Sequence, residues 1–132
     1  MSQTTSAFAQ FVLSHAADSV VPEGGPLIPF AMTRMPDDRG DLRRFAGDLE
    51  IGQEMARTHV RNAVGIAQGA VAWDGYVTGN GQRMDAVLVE AFGTGEAESL
   101  IIAQRYRRVG LLRRRWELYK DPVALGHGGP LF

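Results

Sequence analysis

Two carboxylates on a predicted strand and a histidine on a predicted helix are the residues whose types could do chemistry. Asp85 and Glu90 lie five positions apart, and His59 lies upstream of both. Carboxylate oxygens and imidazole nitrogens bind divalent metals, which activate water for hydrolysis. Asp85, Glu90 and His59 are therefore the candidate catalytic residues of a metal-dependent hydrolase. Because residues five apart on a regular strand point to opposite faces, one metal could hold both carboxylates only across a bulge.

The segment 81–91, GQRMDAVLVEA, resembles the active-site strand of restriction-type nucleases. Those enzymes place an acidic residue and then a Glu-x-Lys motif around a divalent metal. The resemblance implies hydrolysis of a phosphodiester at Asp85 and Glu90. Phe92 stands two positions after Glu90, so this chain lacks the lysine of the motif.

A structural role is the alternative for both carboxylates. Asp85 would accept a bond from Tyr76 or pair with Arg83 on an exposed strand face. Glu90 falls on the predicted core face with Trp73, where a buried carboxylate needs a partner. One of the C-terminal arginines is the expected partner.

The histidines do not predict a metal site. His15 and His59 both fall on predicted core faces of helices, and they would meet if the two helices were neighbours. The sequence contains no H-x-H or H-x-x-x-H spacing, and a lone helical histidine is typically a half-buried packing residue. His127 stands among glycines near the C-terminus, with no specific role expected.

Basic side chains are concentrated near the C-terminus. Residues 1–104 carry 7 basic and 13 acidic side chains, whereas residues 105–121 carry 7 basic and 2 acidic ones. Basic groups interleaved with aromatic rings can hold phosphates and stack bases, which makes nucleic-acid binding one hypothesis. The other is contact with acidic protein surface. The candidate interaction residues are Arg105, Arg107, Arg113, Arg115, Trp116 and Tyr76.

Other catalytic and cofactor signatures are absent from the sequence. It has no cysteine, which excludes disulfides, thiol catalysis and thiolate metal sites. Its glycine-rich stretches do not form a P-loop, a GxGxxG motif or a Gly-x-Ser-x-Gly elbow. No cofactor is therefore expected.

Two segments have the 3.6-residue periodicity of helices, residues 5–20 and 48–63. Asp48 is the predicted N-cap of the second helix. The stripe predicted to face inward on that helix consists mostly of small side chains: Leu49, Gly52, Met55, Ala56, His59, Val60 and Ala63.

Strands account for most of the remaining chain. Residues 27–32 form a short apolar run typical of a strand, and residues 35–41 form a polar loop. Residues 99–107 fit a strand or a helix, and a loop of hairpin length before them favours the strand. A further strand is predicted over 111–119.

The best-specified element is a hairpin whose strands, 66–78 and 83–92, flank Asn80-Gly81. This dipeptide is preferred in type I′ turns, and it predicts a register in which Tyr76 faces Asp85. One strand face, with Trp73 and Leu88, is the predicted core face. The other face is polar near the turn and apolar further away.

Together these elements predict a two-layer α+β fold. An antiparallel sheet of about four to five strands would carry two helices on one face, in the order α-β-α-β-β-β-β. Residues 1–132 would form one domain, with a flexible N-terminus (about 1–5) and a flexible Gly-rich tail (about 123–132). A second subunit would cover the sheet's other apolar surface.

The sequence favours a non-enzymatic assembly module that self-associates and binds a protein partner. The metal-dependent hydrolase and the nucleic-acid binder stay open as alternatives. The N-terminus lacks a basic region, and no run approaches the roughly 18 apolar residues of a membrane span. We therefore expect a soluble, cytoplasmic domain of bacterial type with no membrane partner.

Overall fold

The computed structural model describes residues 3–128, which form two helices and seven strands. This is the predicted α+β class. The elements are α1 (Gln3–Asp18), β1 (Phe30–Arg34), β2 (Gly40–Arg44), α2 (Leu49–Arg61), β3 (Gln68–Gly79), β4 (Gln82–Gly93), β5 (Ser99–Val109), β6 (Arg115–Leu118) and β7 (Val123–Gly128). No helix in this range is long and apolar enough to cross a membrane.

The strands form one antiparallel sheet in the order β2-β1-β3-β4-β5-β6, and β7 also pairs with β5. Strands β6 and β7 share one edge of β5: β6 pairs with Tyr106–Val109 and β7 with Ser99–Ala103. The prediction of four to five strands was too low because it missed β2 and β7. Strand β2 is polar and β7 is glycine-rich, so neither has the apolar alternation by which strands are recognised.

The central hairpin has the predicted register. Asn80 and Gly81 have φ angles of 50° and 75°, as a type I′ turn requires, and Tyr76 pairs with Asp85. The strand prediction for residues 99–107 is also confirmed, since β5 covers them. Pairing continues without a shift along the whole of β3 and β4, so the parity of each residue sets its sheet face.

The two helices pack on opposite faces of the sheet, and the prediction that they share one face is wrong. Helix α1 covers the face that carries Ala72, Val87 and Val89, here called the α1 face. Helix α2 covers part of the face that carries Val71 and Phe92, here called the α2 face. The α1 face, which the sequence placed second, therefore holds the larger core cluster, and a helix rather than a second subunit covers it.

Helix α2 begins at the predicted cap. The Asp48 carboxylate accepts a bond from the Ile51 backbone N–H, which satisfies a donor at the free helix end. Its buried stripe is narrower than predicted: Gly52, Ala56 and Val60 are buried, whereas Met55 is 50% exposed. Small buried residues let the helix lie close to the sheet.

Both ends of the chain are more structured than expected where they are described. Helix α1 starts at Gln3, and Thr5 is buried. Within the predicted tail, Val123–Gly128 is strand β7. Residues 1–2 and 129–132 lie outside the described range.

We predict that Gly69→Ala destabilises the fold by about 1–3 kcal/mol because of overpacking. A Cβ on Gly69 would lie 2.9 Å from side-chain carbons of both Phe92 and Val60, between the sheet and α2. Gly79→Ala in the same strand is the matched control, since its Cβ would meet nothing within 4 Å. Urea unfolding measures both variants, and equal losses of stability would contradict the close packing of α2.

Candidate functional site

The three candidate catalytic residues do not converge. Asp85 is exposed on the α1 face, whereas Glu90 is buried on the α2 face, and β4 has no bulge between them. His59 lies on α2 beside Phe45, with its Nε2 4.0 Å from the Asp41 carboxylate. Within residues 3–128, no group of three or more His, Asp or Glu side chains could hold a metal.

His15 and His59 lie on opposite faces of the sheet, so their side chains are not in contact. His15 packs edge-on against Phe30 on the α1 face, with ring centroids 5.5 Å apart. His59 belongs to α2 on the other face. The backbone of His127 lies in β7 opposite Leu100, and its side chain is outside the described part of the structure.

Glu90 forms a structural ion pair beneath α2. Its Oε1 accepts a bond from Arg57 Nη1 at 2.7 Å, and its Oε2 accepts one from Ser99 Oγ at 2.6 Å. The Arg57 guanidinium also lies 5.0 Å from the Trp73 ring centroid. The expectation of a C-terminal arginine as partner is therefore wrong. Both carboxylate oxygens are bonded, which leaves Glu90 a role in holding α2 to the sheet.

A partly buried Asp–Tyr pair is the polar contact that sequence reasoning missed. Both Asp74 oxygens accept from Tyr106 Oη, at 3.0 and 2.9 Å, and Oδ2 also accepts from the Leu27 N–H at 2.6 Å. Burial raises the pKa of Asp74 above its ordinary value of 3.8, and these hydrogen bonds only partly offset the effect. Burial, together with the Asp74 charge, also raises the pKa of Tyr106.

The proline-glycine loop 22–26 covers this pair. A Cβ on Gly25 would lie 2.5 Å from Tyr106 Oη, so the loop backbone passes directly over the contact. The Trp116 backbone N–H donates to the Pro22 carbonyl, and its ring packs 5.2 Å from that of Tyr106. Trp116, a predicted interaction residue, is therefore half-buried beneath the loop.

The arginine cluster divides between surfaces. Arg105 and Arg107 lie on the α2 face, where both guanidinium groups approach the Tyr119 ring, at 5.3 and 4.7 Å. Arg107 also pairs with Glu117 at 3.3 Å. Arg113 and Arg115 are exposed, in the loop after β5 and at the start of β6 respectively.

Tyr76, the remaining candidate interaction residue, is half exposed on the α1 face. The Arg83 guanidinium lies 3.8 Å from its ring centroid. Arg83 is therefore the cation that Tyr76 contacts, and Asp85 faces Tyr76 in the strand register as predicted.

An open apolar groove runs along the outer side of α2, with a volume of about 580 Å³. Two of its apolar side chains, Ile51 and Met55, are 62% and 50% exposed. Two acidic side chains, Glu50 and Glu54, also line it. We call this surface the α2 groove; it is lined by Phe45, Glu50, Ile51, Glu54, Met55, Thr58 and His59.

A second exposed feature lies in the connection from β5 to β6. Leu111 and Leu112 are 97% and 100% exposed, and three exposed arginines follow them directly. We call residues 111–115 the Leu-Arg tip. Exposure of adjacent leucine side chains to water is unfavourable, so their burial would lower the free energy.

Comparisons with protein-family models, with curated proteins and with solved structures find no match to this chain.

We predict that Arg57→Met costs about 3–5 kcal/mol, because it leaves the buried Glu90 carboxylate without its cation. Adding Glu90→Gln should recover most of this loss, since the double variant buries no charge. Arg107→Met removes the exposed pair with Glu117 and should cost less than about 1 kcal/mol. Chemical unfolding tests all three variants, and a double variant as unstable as Arg57→Met would contradict the charge argument.

The raised pKa of Asp74 predicts a pH-dependent stability difference. Between its unfolded and folded pKa values, the folded state binds more protons, so Asp74 makes folding less favourable as pH rises. The stability of the native protein relative to Asp74→Asn should therefore fall as pH rises from about 4, and then level off above the folded pKa. Urea unfolding of both proteins at matched pH measures the difference. A relative stability that rises with pH would refute the raised pKa.

Proposed function

We propose that this chain is a self-associating module in which the Leu-Arg tip of one copy occupies the α2 groove of the next. The observation that carries the proposal is the chemical match between two exposed surfaces. The groove is apolar with acidic residues along it, and the tip is a pair of leucines followed by three arginines.

The apolar parts of the two surfaces suit each other. The leucines of the tip are almost fully exposed, and the groove offers Ile51 and Met55 as contact partners. Burying one leucine side chain contributes about 1.5–3 kcal/mol. Contact between these surfaces would remove apolar area from water on both sides.

The charges are complementary as well. Glu50 and Glu54 line the groove, whereas Arg113, Arg114 and Arg115 follow the leucines of the tip. Opposite charges at an interface steer association and select the partner. The acidic excess of residues 1–104 and the basic excess of residues 105–121 meet in this arrangement.

The positions of the two surfaces favour contact between copies. Helix α2 packs against the start of β3, near Gly69 and Val71. The tip follows the end of β5, which runs toward the Asn80–Gly81 turn, and no tip residue lines the groove. Because groove and tip are different surfaces, repeated contact would produce a ring or an open chain.

The apolar sheet face expected to attract a second subunit is covered by α1, so the groove supports self-association instead. The hydrolase alternative lacks converging ligands among the described residues. Two aromatic rings that could stack bases in the nucleic-acid-binding alternative are already packed within the protein, because Tyr106 is buried and Trp116 packs beneath loop 22–26.

We expect light scattering during gel filtration to show a mass above that of the monomer, decreasing with dilution and with added salt. Salt screens the glutamate–arginine attraction. Leu112→Ser should raise the dissociation constant by roughly 10- to 150-fold, as the loss of one buried leucine implies. Val64→Ser is the matched control: Val64 is 89% exposed but lies outside both surfaces.

Mixing variants separates this contact from other modes of association. Met55→Glu should disable the groove and Leu112→Ser the tip, so each protein alone becomes monomeric. Each retains the surface that the other lacks, and an equimolar mixture should form a 1:1 dimer. A native protein that is monomeric at all concentrations, or a mixture that stays monomeric, overturns the proposal. The proposal would also be overturned if the native protein is monomeric and its α2 groove binds a leucine-arginine segment of a different protein.

A further inference from the structure

A small cavity of about 110 Å³ lies on the α2 face, away from the α2 groove. The turn of the β3–β4 hairpin forms one side, with Asn80 and Gln82. The segment after β6 forms another side, with Tyr119 and Lys120, and Arg105 of β5 completes the set of polar side chains. These residues are separated in sequence, and the sheet brings them together.

The electrostatic character of the cavity is positive. Arg105 and Lys120 both line it, and no carboxylate does. In residues 3–128, neither of these two cations has a carboxylate within ion-pair distance, whereas their neighbour Arg107 pairs with Glu117. Lys120 Nζ and the Arg105 guanidinium each lie 5.3 Å from the centroid of the Tyr119 ring. Two cations without a carboxylate partner among the described residues therefore line one cavity, each close to the same aromatic ring.

Arg105 supplies an independent sign of a missing partner. Its Nε is buried and has no hydrogen-bond partner among the described residues. A buried donor without an acceptor costs about 1–3 kcal/mol, more when it is charged, and such donors are rare in folded proteins. An anion bound to the guanidinium would supply an acceptor.

The backbone around the cavity is held in place. Gln104 is buried, and its Nε2 donates to the Lys120 carbonyl at 2.9 Å and to the Arg105 carbonyl at 3.0 Å. The type I′ turn fixes the other side, which Asn80 and Gln82 line; their side-chain amides are potential donors. The backbone that carries Arg105 and Lys120 is therefore held by hydrogen bonds from Gln104.

We propose that this cavity binds a phosphate group, either as inorganic phosphate or as the terminal phosphate of a small phosphomonoester. Two cations match a dianion, and guanidinium groups bind phosphate oxygens with paired donors. The volume suits one tetrahedral oxyanion. The site is separate from the α2 groove and the Leu-Arg tip, so it is independent of the proposed self-association.

The test is calorimetric titration of the full chain with inorganic phosphate and with glycerol 3-phosphate, at constant ionic strength. We expect saturable binding at one site per chain. Lys120→Gln and Arg105→Gln should each weaken it by about tenfold or more, as expected for a lost charge-assisted bond. Arg108→Gln is the matched control, because Arg108 is exposed on the same strand but on the opposite face.

Each outcome decides the proposal. Similar affinities for both compounds would support a site that recognises the phosphate group alone, and tighter binding of glycerol 3-phosphate would identify a phosphomonoester. Absence of binding overturns the proposal, as does equal weakening by Arg108→Gln. Arg105 contacts Tyr119, so the Arg105→Gln variant could fail to fold. Lys120→Gln changes an exposed side chain and tests the site in that case. Lys120-dependent binding of a short oligonucleotide without binding of phosphate would also overturn it, in favour of nucleic acid.

Discussion

The pairing of β3 with β4 is the constraint on which the rest of this structure depends. Both strands are apolar on both faces at the end away from their turn, so a slip of one residue would exchange the side chains offered to the two helices. The Asn80–Gly81 turn sets the register from the other end. With parity fixed, Val87 and Val89 face α1, whereas Glu90 faces α2 and meets Arg57. The ion pair, the placement of α2 and hence the groove on its outer side all follow from this register.

Local signals in the sequence are sufficient for the hairpin and for the start of α2, because a two-residue turn and a capping aspartate act over a few residues. The placement of the helices is a different problem. Ala72 and Val71 are adjacent in β3, both are completely buried, and they face opposite helices. A strand that is apolar on both faces carries no information about which helix covers which face. Strands β2 and β7 owe their structure to pairing rather than to their own composition, so periodicity could not identify them.

Prediction of the polar contacts was limited by sequence separation. Glu90 was correctly expected to need a partner, but Arg57 is 33 positions away and lies on a helix that was expected on the other face. The burial of Asp74 depends on loop 22–26. The proline and glycine content of this loop predicts a turn, but it does not predict that the turn lies over Tyr106. The candidate arginines lie close together in the sequence. In the structure, Arg105 lines a cavity and Arg113 lies in an exposed loop. This division depends on where β5 ends in the folded sheet, which the sequence alone does not show.

Strand β2 lies at one edge of the sheet, and its composition limits how the molecule can associate. Its side chains alternate little in burial, and Asp41, Arg43 and Arg44 are all exposed. Charged side chains on an edge strand oppose the addition of a further strand from another chain, because pairing would desolvate them and place like charges close together. The β2 edge is thereby protected against growth by backbone pairing, the route that leads to fibrous aggregates. Association through side-chain surfaces remains compatible with a chain of discrete, folded units.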